Sequence, residues 1–170
     1  MPKSDLDPID RRIVAALQAN GRLTNADLAQ HVGLSPSPCL RRVNRLEREG
    51  YIEAYRAVLR RDQIGLGLTV FIAVKIEGHA NEEATKFEEA VVGFSEVVAC
   101  HMITGDADYL LEVVTPDLVH YRRFLVGKLL ELAAVREVRS NVAIQTLKAG
   151  ASLPLDHLEI SKMERQRPVE

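Results

Sequence analysis

Apolar positions in the first third of the chain recur at helical spacing in three short runs. Ile9, Ile13, Val14 and Leu17 form the first. Asp7 caps it, Pro8 takes the first helical position, Asp10 sits in the first turn and Gly21 stops it. Thr24 with Asp27 three residues on resembles a capping box, with Asp in place of the usual Glu or Gln. Leu28, Ala29 and Val32 form the stripe of the second helix, and Gly33 is placed as a left-handed stop. Leu34 follows, and Ser35-Pro36 opens a third helix at once. Only a Gly-Leu joint separates helices two and three, so they must cross steeply.

Two short helices joined in this way form a helix-turn-helix, whose second helix enters the major groove of DNA. Helix three has the faces for it. Leu40, Val43 and Leu46 lie on one side, and Pro38, Arg41, Arg42 and Arg45 lie opposite, with Arg48 further along. Guanidinium forks match phosphate oxygens and the O6/N7 edge of guanine. Ser35 and Ser37 at the helix start can bond to a phosphate or a base edge. The plainer alternative is a solvated charged face, with Glu47 and Glu49 pairing to nearby arginines. Gly50 ends the helix, and residues 51–59 alternate loosely, as a strand or wing does. Arg60, Arg61 and Asp62 begin a polar linker. Gly65-x-Gly67 is no dinucleotide fingerprint, because it precedes a strand and lacks the third glycine.

Beyond the linker the period changes to two. Leu66, Leu68, Val70, Ile72, Val74 and Ile76 alternate with Gly67, Thr69, Phe71, Ala73, Lys75 and Glu77. A helix carrying Ala84, Phe87, Val91 and Phe94 follows. Strands are expected at 97–104 and 109–115, with a tight turn at Gly105-Asp106-Ala107-Asp108 between them. Asp117 caps a helix with Leu118, Tyr121, Leu125 and Leu132, and residues 135–147 give the last strand. This order is the ferredoxin-like βαββαβ unit, with helices on one face of a four-stranded sheet. Phe71, Ala73, Val98, Met102, Leu110 and Val114 are assigned to the other face, and a second copy of the chain is the natural cover. The fold class is therefore α+β: a winged helix-turn-helix domain at 1–62, a ferredoxin-like domain at 63–150 and an unassigned tail at 151–170.

Composition narrows the chemistry. The 170 residues allow one ordinary domain or two small ones, and 46% hydrophobic with 27% charged residues marks a globular chain. Formal net charge is -2, which rules out bulk polybasic binding. Residues 1–62 nevertheless carry 11 Lys+Arg against 8 Asp+Glu, and residues 63–170 carry 11 against 16, so the two modules suit different partners. No apolar run reaches bilayer length and the N-terminus is polar, so a cytoplasmic protein without membrane contact is expected. Cys39 and Cys100 lie far apart, which argues against a disulfide framework or zinc site. The five histidines show no metal-ligand spacing, and neither G-x-S-x-G nor a P-loop lysine pattern occurs. No metal, no cofactor and no catalytic residue is expected.

The motifs Asp10-Arg11-x-Ile13, Gly33-Leu34-Ser35-Pro36-Ser37-Pro38-Cys39, Arg42-Val43-x-Arg45-Leu46-Glu47-x-x-Gly50, Cys100-His101, Gly105-Asp106-x-Asp108-Tyr109 and Pro116-Asp117 with Tyr121 carry a resemblance. From Leu6 to about Leu147 the chain resembles the leucine-responsive/asparagine regulator (Lrp/AsnC) family of bacterial and archaeal transcription factors, also called feast/famine regulators. The resemblance implies a homodimer on double-stranded operator DNA that assembles further, to tetramers or octamers. It implies an amino-acid effector bound at contacts between dimers. On this resemblance the effector site draws on Gly105, Asp106 and Asp108, on Met102 and Thr104 before that turn, on Leu118, and on Val142 and Ala143. An ammonium seeks a carboxylate and a carboxylate seeks N–H groups, which suits such a turn. Read from the residues alone, Asp106 and Asp108 are equally plain hairpin residues. Two rival functions stand beside this one. One is an amino-acid-sensing or enzymatic ferredoxin-like module whose N-terminal helices serve only assembly. The other is an architectural DNA binder with no effector.

Overall fold

The computed structural model describes residues 6–77 and 82–158. The chain divides into two compact units, Met1–Val58 together with Lys148–Glu170, and Leu59–Leu147.

The first unit holds three helices, α1 (Pro8–Ala19), α2 (Asn25–Val32) and α3 (Pro36–Arg48). Asp7 caps α1 by accepting from the N–H groups of Ile9 and Asp10, and the Asp10 carboxylate returns a bond to the Asp7 N–H. The full capping box is thus here. At α2, Thr24 Oγ1 accepts from the Asp27 N–H and donates to the Asp27 carboxylate, so only half the expected box forms. α1 ends at an extended Asn20 rather than at a left-handed Gly21. Ile13, Ala16, Leu28, Ala29, Val32, Cys39 and Leu46 make the core. Residues 51–60, expected as a strand or wing, form no strand: the alternation there finds no partner strand to pair with among the described residues.

Of the unassigned tail, residues 151–158 join this unit. Gln18 clamps Leu153 with both ends of its amide: Oε1 accepts the Leu153 N–H at 2.7 Å and Nε2 donates to the Leu153 carbonyl at 3.4 Å. Leu155 and Leu158 face Leu6, Val14, Leu17 and Ile52 across a cleft of about 540 Å³.

The second unit opens with a short 3₁₀ turn, Arg61–Ile64, closed by Gly65 at φ 76°. Arg61 bonds Glu112 at 2.8 Å, so the supposed linker is anchored to this unit. Then come β1 (Leu68–Ile76), α4 (Glu82–Gly93), β2 (Val97–Met102), β3 (Tyr109–Thr115), α5 (Leu118–Gly127), a second 3₁₀ turn at Leu129–Glu131 and β4 (Val135–Val142). The sheet is antiparallel with order β2-β3-β1-β4, which is the expected ferredoxin-like arrangement. Val70, Ile72, Val74 and Ile76 turn inward onto Phe87 and Val91 of α4 and Tyr121 and Phe124 of α5. Phe124, not the expected Leu125, is the fully buried position of α5.

Directly opposed residues of an antiparallel pair share a face. By that rule Phe71 and Ala73 lie with Glu112 and Leu110 on the face away from the helices, as expected. Met102 does not. A register shift between Val97 and Ala99 leaves Met102 opposite Tyr109, on the helix side, and places His101 opposite Leu110 instead. Val114 is buried rather than open.

Candidate DNA interface and effector site

The joint between α2 and α3 is built by Gly33 at φ 72°, where the Leu34 N–H reaches back to the Ala29 carbonyl at 2.9 Å. Asn25 at the start of α2 donates to the Pro36 carbonyl at 2.9 Å and fixes where α3 begins. Ser35 is extended and its hydroxyl makes no capping bond, so both Ser35 and Ser37 keep exposed hydroxyls. Pro38 is half-buried beside them, in a shallow hollow shared with Leu34, Arg41, Arg42 and Arg45.

The buried stripe of α3 is Cys39, Val43 and Leu46. Leu40 was expected inside and is 48% exposed. The whole helix is therefore rotated from the sequence expectation, and its outermost line is Ser37, Arg41, Asn44 and Arg48, all exposed. Asn44 was missed. Taking the small thiol of Cys39 as a core group gives a 39/43/46 stripe, and Asn44 then falls opposite it. Burial raises the Cys39 thiol pKa, as suits a core position.

The rotation carries Arg42 and Arg45 toward α1. Arg42 Nη1 bonds Asp7 Oδ2 at 2.6 Å and Asp10 Oδ1 at 2.7 Å, and Arg45 Nη2 bonds Asp10 Oδ2 at 2.5 Å. Asp10 is completely buried. Arg41 has no ion pair or hydrogen bond to another side chain among the described residues. Burial pushes the Asp7 carboxyl up, but the Asp10 N–H and the Arg42 guanidinium outweigh it and leave its pKa below the usual 3.8. A depressed carboxylate contributes stability that is complete above its unfolded pKa and lost as pH falls through the folded one. Glu96, held by Lys128 at 2.7 Å, behaves alike: burial raises its pKa, and the Lys128 bond and charge, its own backbone N–H and the Ser95 hydroxyl together lower it below the usual value. Stability should thus decline as pH drops below about 4. Asp7→Asn keeps a good cap and removes one titrating group. Its urea midpoint should fall less than wild type between neutral pH and about pH 3; an identical decline would exclude Asp7 as a source.

The proposed effector residues fall into two groups. Gly105, at φ 113°, turns the chain so that Asp106 and Ala107 meet Ala73, Lys75, Glu137 and Arg139 around a hollow of about 100 Å³ on the helix-free face. Asp106 is exposed and has no ion-pair or hydrogen-bond partner among the described residues. Asp108 is occupied structurally. Its N–H donates to the Val74 carbonyl at 3.0 Å and its Oδ2 accepts from the Ile76 N–H at 2.8 Å, tying the turn to β1. Met102 and Thr104 are exposed beside the turn. Val142 pairs with Val70, the Ala143 N–H bonds the Thr69 carbonyl, and Leu118 opens α5 just past Thr115, the partner of Leu68. That second group is displaced from the turn by at least four residues of β1, ~13 Å. One chain does not bring the two groups together. Among the described residues no cluster of three or more His, Cys, Asp or Glu side chains stands ready for a metal, and no helix is long and apolar enough to cross a membrane.

Comparison with known proteins matches both units. Residues 6–53 match a winged helix-turn-helix DNA-binding family, and residues 69–153 match the Lrp/AsnC ligand binding domain. The leucine-responsive regulatory proteins of Klebsiella pneumoniae and Escherichia coli K12 are each 42% identical over 152 residues, 89% of this chain and 93% of theirs. A Neisseria meningitidis transcriptional regulator, solved as an L-Met complex, superposes with TM-score 0.87 at 40% identity, covering 90% of this chain and 99% of that one. An AsnC family transcriptional regulator from Agrobacterium tumefaciens gives 0.85 at 38%, covering 89% and 99%. With its helix-turn-helix, its βαββαβ sheet and likeness along nearly its whole length, the chain belongs to the Lrp/AsnC family of transcriptional regulators.

Proposed function

We propose that the chain is an amino-acid-responsive regulator that places α3 in the major groove of operator DNA. The observation that carries this reading is the outward line Ser37, Arg41, Asn44 and Arg48, with Ser35 at its head and Pro38 flanking it. Arginine forks match guanine, and an Asn amide matches the N6/N7 edge of adenine. The helix-free sheet face, with Phe71 38% exposed beside Ala73 and Leu110, supports a two-fold dimer. Such a dimer reads half-sites ~34 Å apart or a multiple. Its work is on DNA in the cytoplasm, and regulators of this kind carry out no catalysis.

The effector is an amino acid. Asp106 meets its ammonium, and Asp108 orders the turn that presents Asp106. Leu118, Val142 and Ala143 reach that turn only from another copy, so the site is completed by assembly; the further assembly of dimers to tetramers or octamers is where this reading puts that contact. A ligand bound there alters DNA affinity only if it binds one assembly state better than another.

The test is a melting-temperature screen of the full chain against the amino acids, L-Met first, followed by titration of upstream DNA with and without each hit. A ligand of the folded state at about 100 times its Kd adds ~2.7 kcal/mol. Asp106→Ala should raise the amino-acid concentration required by roughly ten- to a hundredfold, the loss of one charge-assisted hydrogen bond. A full screen in which no amino acid shifts melting or DNA binding would leave an effector-free DNA binder.

A further inference from the structure

Four arginines lie on α3, and they are not equivalent. Arg41 and Arg48 stand on the outward line, away from every carboxylate cluster. Arg42 and Arg45 lean onto the start of α1, where Asp10 gives one carboxylate oxygen to each and Asp7 gives a second anchor to Arg42. The Asp10 side chain has essentially no solvent exposure. Two guanidiniums against two carboxylates make a neutral cluster, and Glu49 lies 3.9 Å from Arg45 Nε as a further negative neighbour.

The two kinds of arginine face different costs on meeting a phosphate. Arg41 exchanges water for the phosphate and leaves nothing behind. Arg45 holds Asp10 through Nη2; turning that end of its guanidinium to a phosphate means leaving Asp10, and a buried carboxylate stripped of a partner bears the full penalty of desolvation. Arg42 would leave two carboxylates. Both anchors of Arg42 fall on Nη1, and the rigid planar guanidinium held against two carboxylates has its charge neutralised there and its remaining N–H groups fixed in direction.

We infer that Asp10, with Asp7, is a positioning residue for DNA recognition: it withholds Arg42 and Arg45 from the duplex, so that Arg41 and not these two supplies the cationic contact at the centre of α3. This rests on the α3 docking proposed above. The cluster has two consequences. It locks the rotation of α3 on α1, which fixes where Ser37, Arg41 and Asn44 point. It also lowers the sequence-independent attraction of the helix for any phosphate backbone, because only part of its charge is available.

The salt dependence of binding counts phosphate contacts, since each contact released changes log K against log salt by about 0.9. Full-length protein is titrated onto a mixed-sequence duplex by fluorescence anisotropy between about 50 and 200 mM salt. Arg41→Gln should flatten the slope by about 0.9 for each protomer on the duplex. Arg42→Gln and Arg45→Gln, which can still hydrogen-bond Asp10, should keep the wild-type slope. Asp10→Asn should steepen the slope by about 0.9 or more per protomer, because it releases guanidinium charge. It should tighten binding to this duplex several-fold at the low-salt end. A merely structural role for Asp10 would weaken binding without changing the slope. If Asp10→Asn does not fold, the comparison of Arg41→Gln with Arg42→Gln and Arg45→Gln decides alone. Slopes that flatten equally for all three arginine variants, or an Asp10→Asn slope no steeper than wild type, would overturn the inference. If no variant or wild type binds duplex DNA at all, it is the α3 docking itself that fails.

Discussion

Asp10→Ala is expected to lower unfolding stability by about 3 kcal/mol, read as a drop in urea midpoint at constant m. Breaking a buried ion pair by removing one partner costs about 3–5 kcal/mol. Here the stranded partners, Arg42 and Arg45, keep roughly a third of their side-chain surface in water, which places the value at the low end. The carboxylate also closes the capping box onto the Asp7 N–H, and losing that reciprocal bond is part of the same cost, while the Asp7 cap itself stays. Asp10→Asn keeps one hydrogen-bonding oxygen and should lose distinctly less. A change below about 1 kcal/mol for Asp10→Ala, the range of an ordinary surface pair, would show that the cluster contributes little to the fold.

Phe124→Ala should destabilise by about 3–5 kcal/mol. Phe124 is buried between α5 and the sheet, and its ring meets Phe94 edge-on, 5.6 Å between centroids at 88°. Truncation removes the transfer energy of the ring, opens a cavity and ends the aromatic pair, itself worth about 0.5–1.5 kcal/mol. Phe94 in turn lies under the Lys128 ammonium, 5.7 Å from its centroid, so the change also loosens the contact that holds Glu96. For a unit of this size the melting temperature should fall by more than about 12 °C in calorimetry. A fall of only a few degrees would mean that α5 collapses onto the sheet and refills the space.

Local patterning was enough for the architecture. Three helices, a Gly-Leu joint and the βαββαβ order all follow from spacing of three or four, spacing of two, and stop residues. What escaped depends on partners distant in sequence. Asp10 reads as a first-turn acid, and only packing of α3 against α1 reveals that it is the buried centre of an ion cluster 32 and 35 positions from its arginines. Leu40 outranks Cys39 in hydropathy, so the third helix was read one position out of phase, which hid Asn44. Met102 was assigned by alternation to the wrong face because a bulge leaves no trace in the alternation itself. Asp108 is expected to meet a ligand directly or to order the turn, and its Oδ2 accepts from the Ile76 N–H, a bond to β1 that alternation along the chain does not reveal. The two groups of proposed effector residues read as one list in sequence, although the sheet holds them apart.

The clasp between Gln18 and Leu153 joins positions 135 apart, with the whole of Leu59–Leu147 between them. A chain emerging from the ribosome presents α1 before Leu59–Leu147, and residues 153–158 after it. The three helices leave the tunnel with the apolar seat of Leu6, Val14, Leu17 and Ile52 bare, and it stays bare until the entire sheet unit has been translated. Completion of the DNA-binding unit is thereby coupled to the presence of the sheet unit, the one that matches the Lrp/AsnC ligand binding domain. Chains cut short within the sheet carry the recognition helix without its clasp, so the finished reader of DNA is found only in molecules that also possess the means to be regulated.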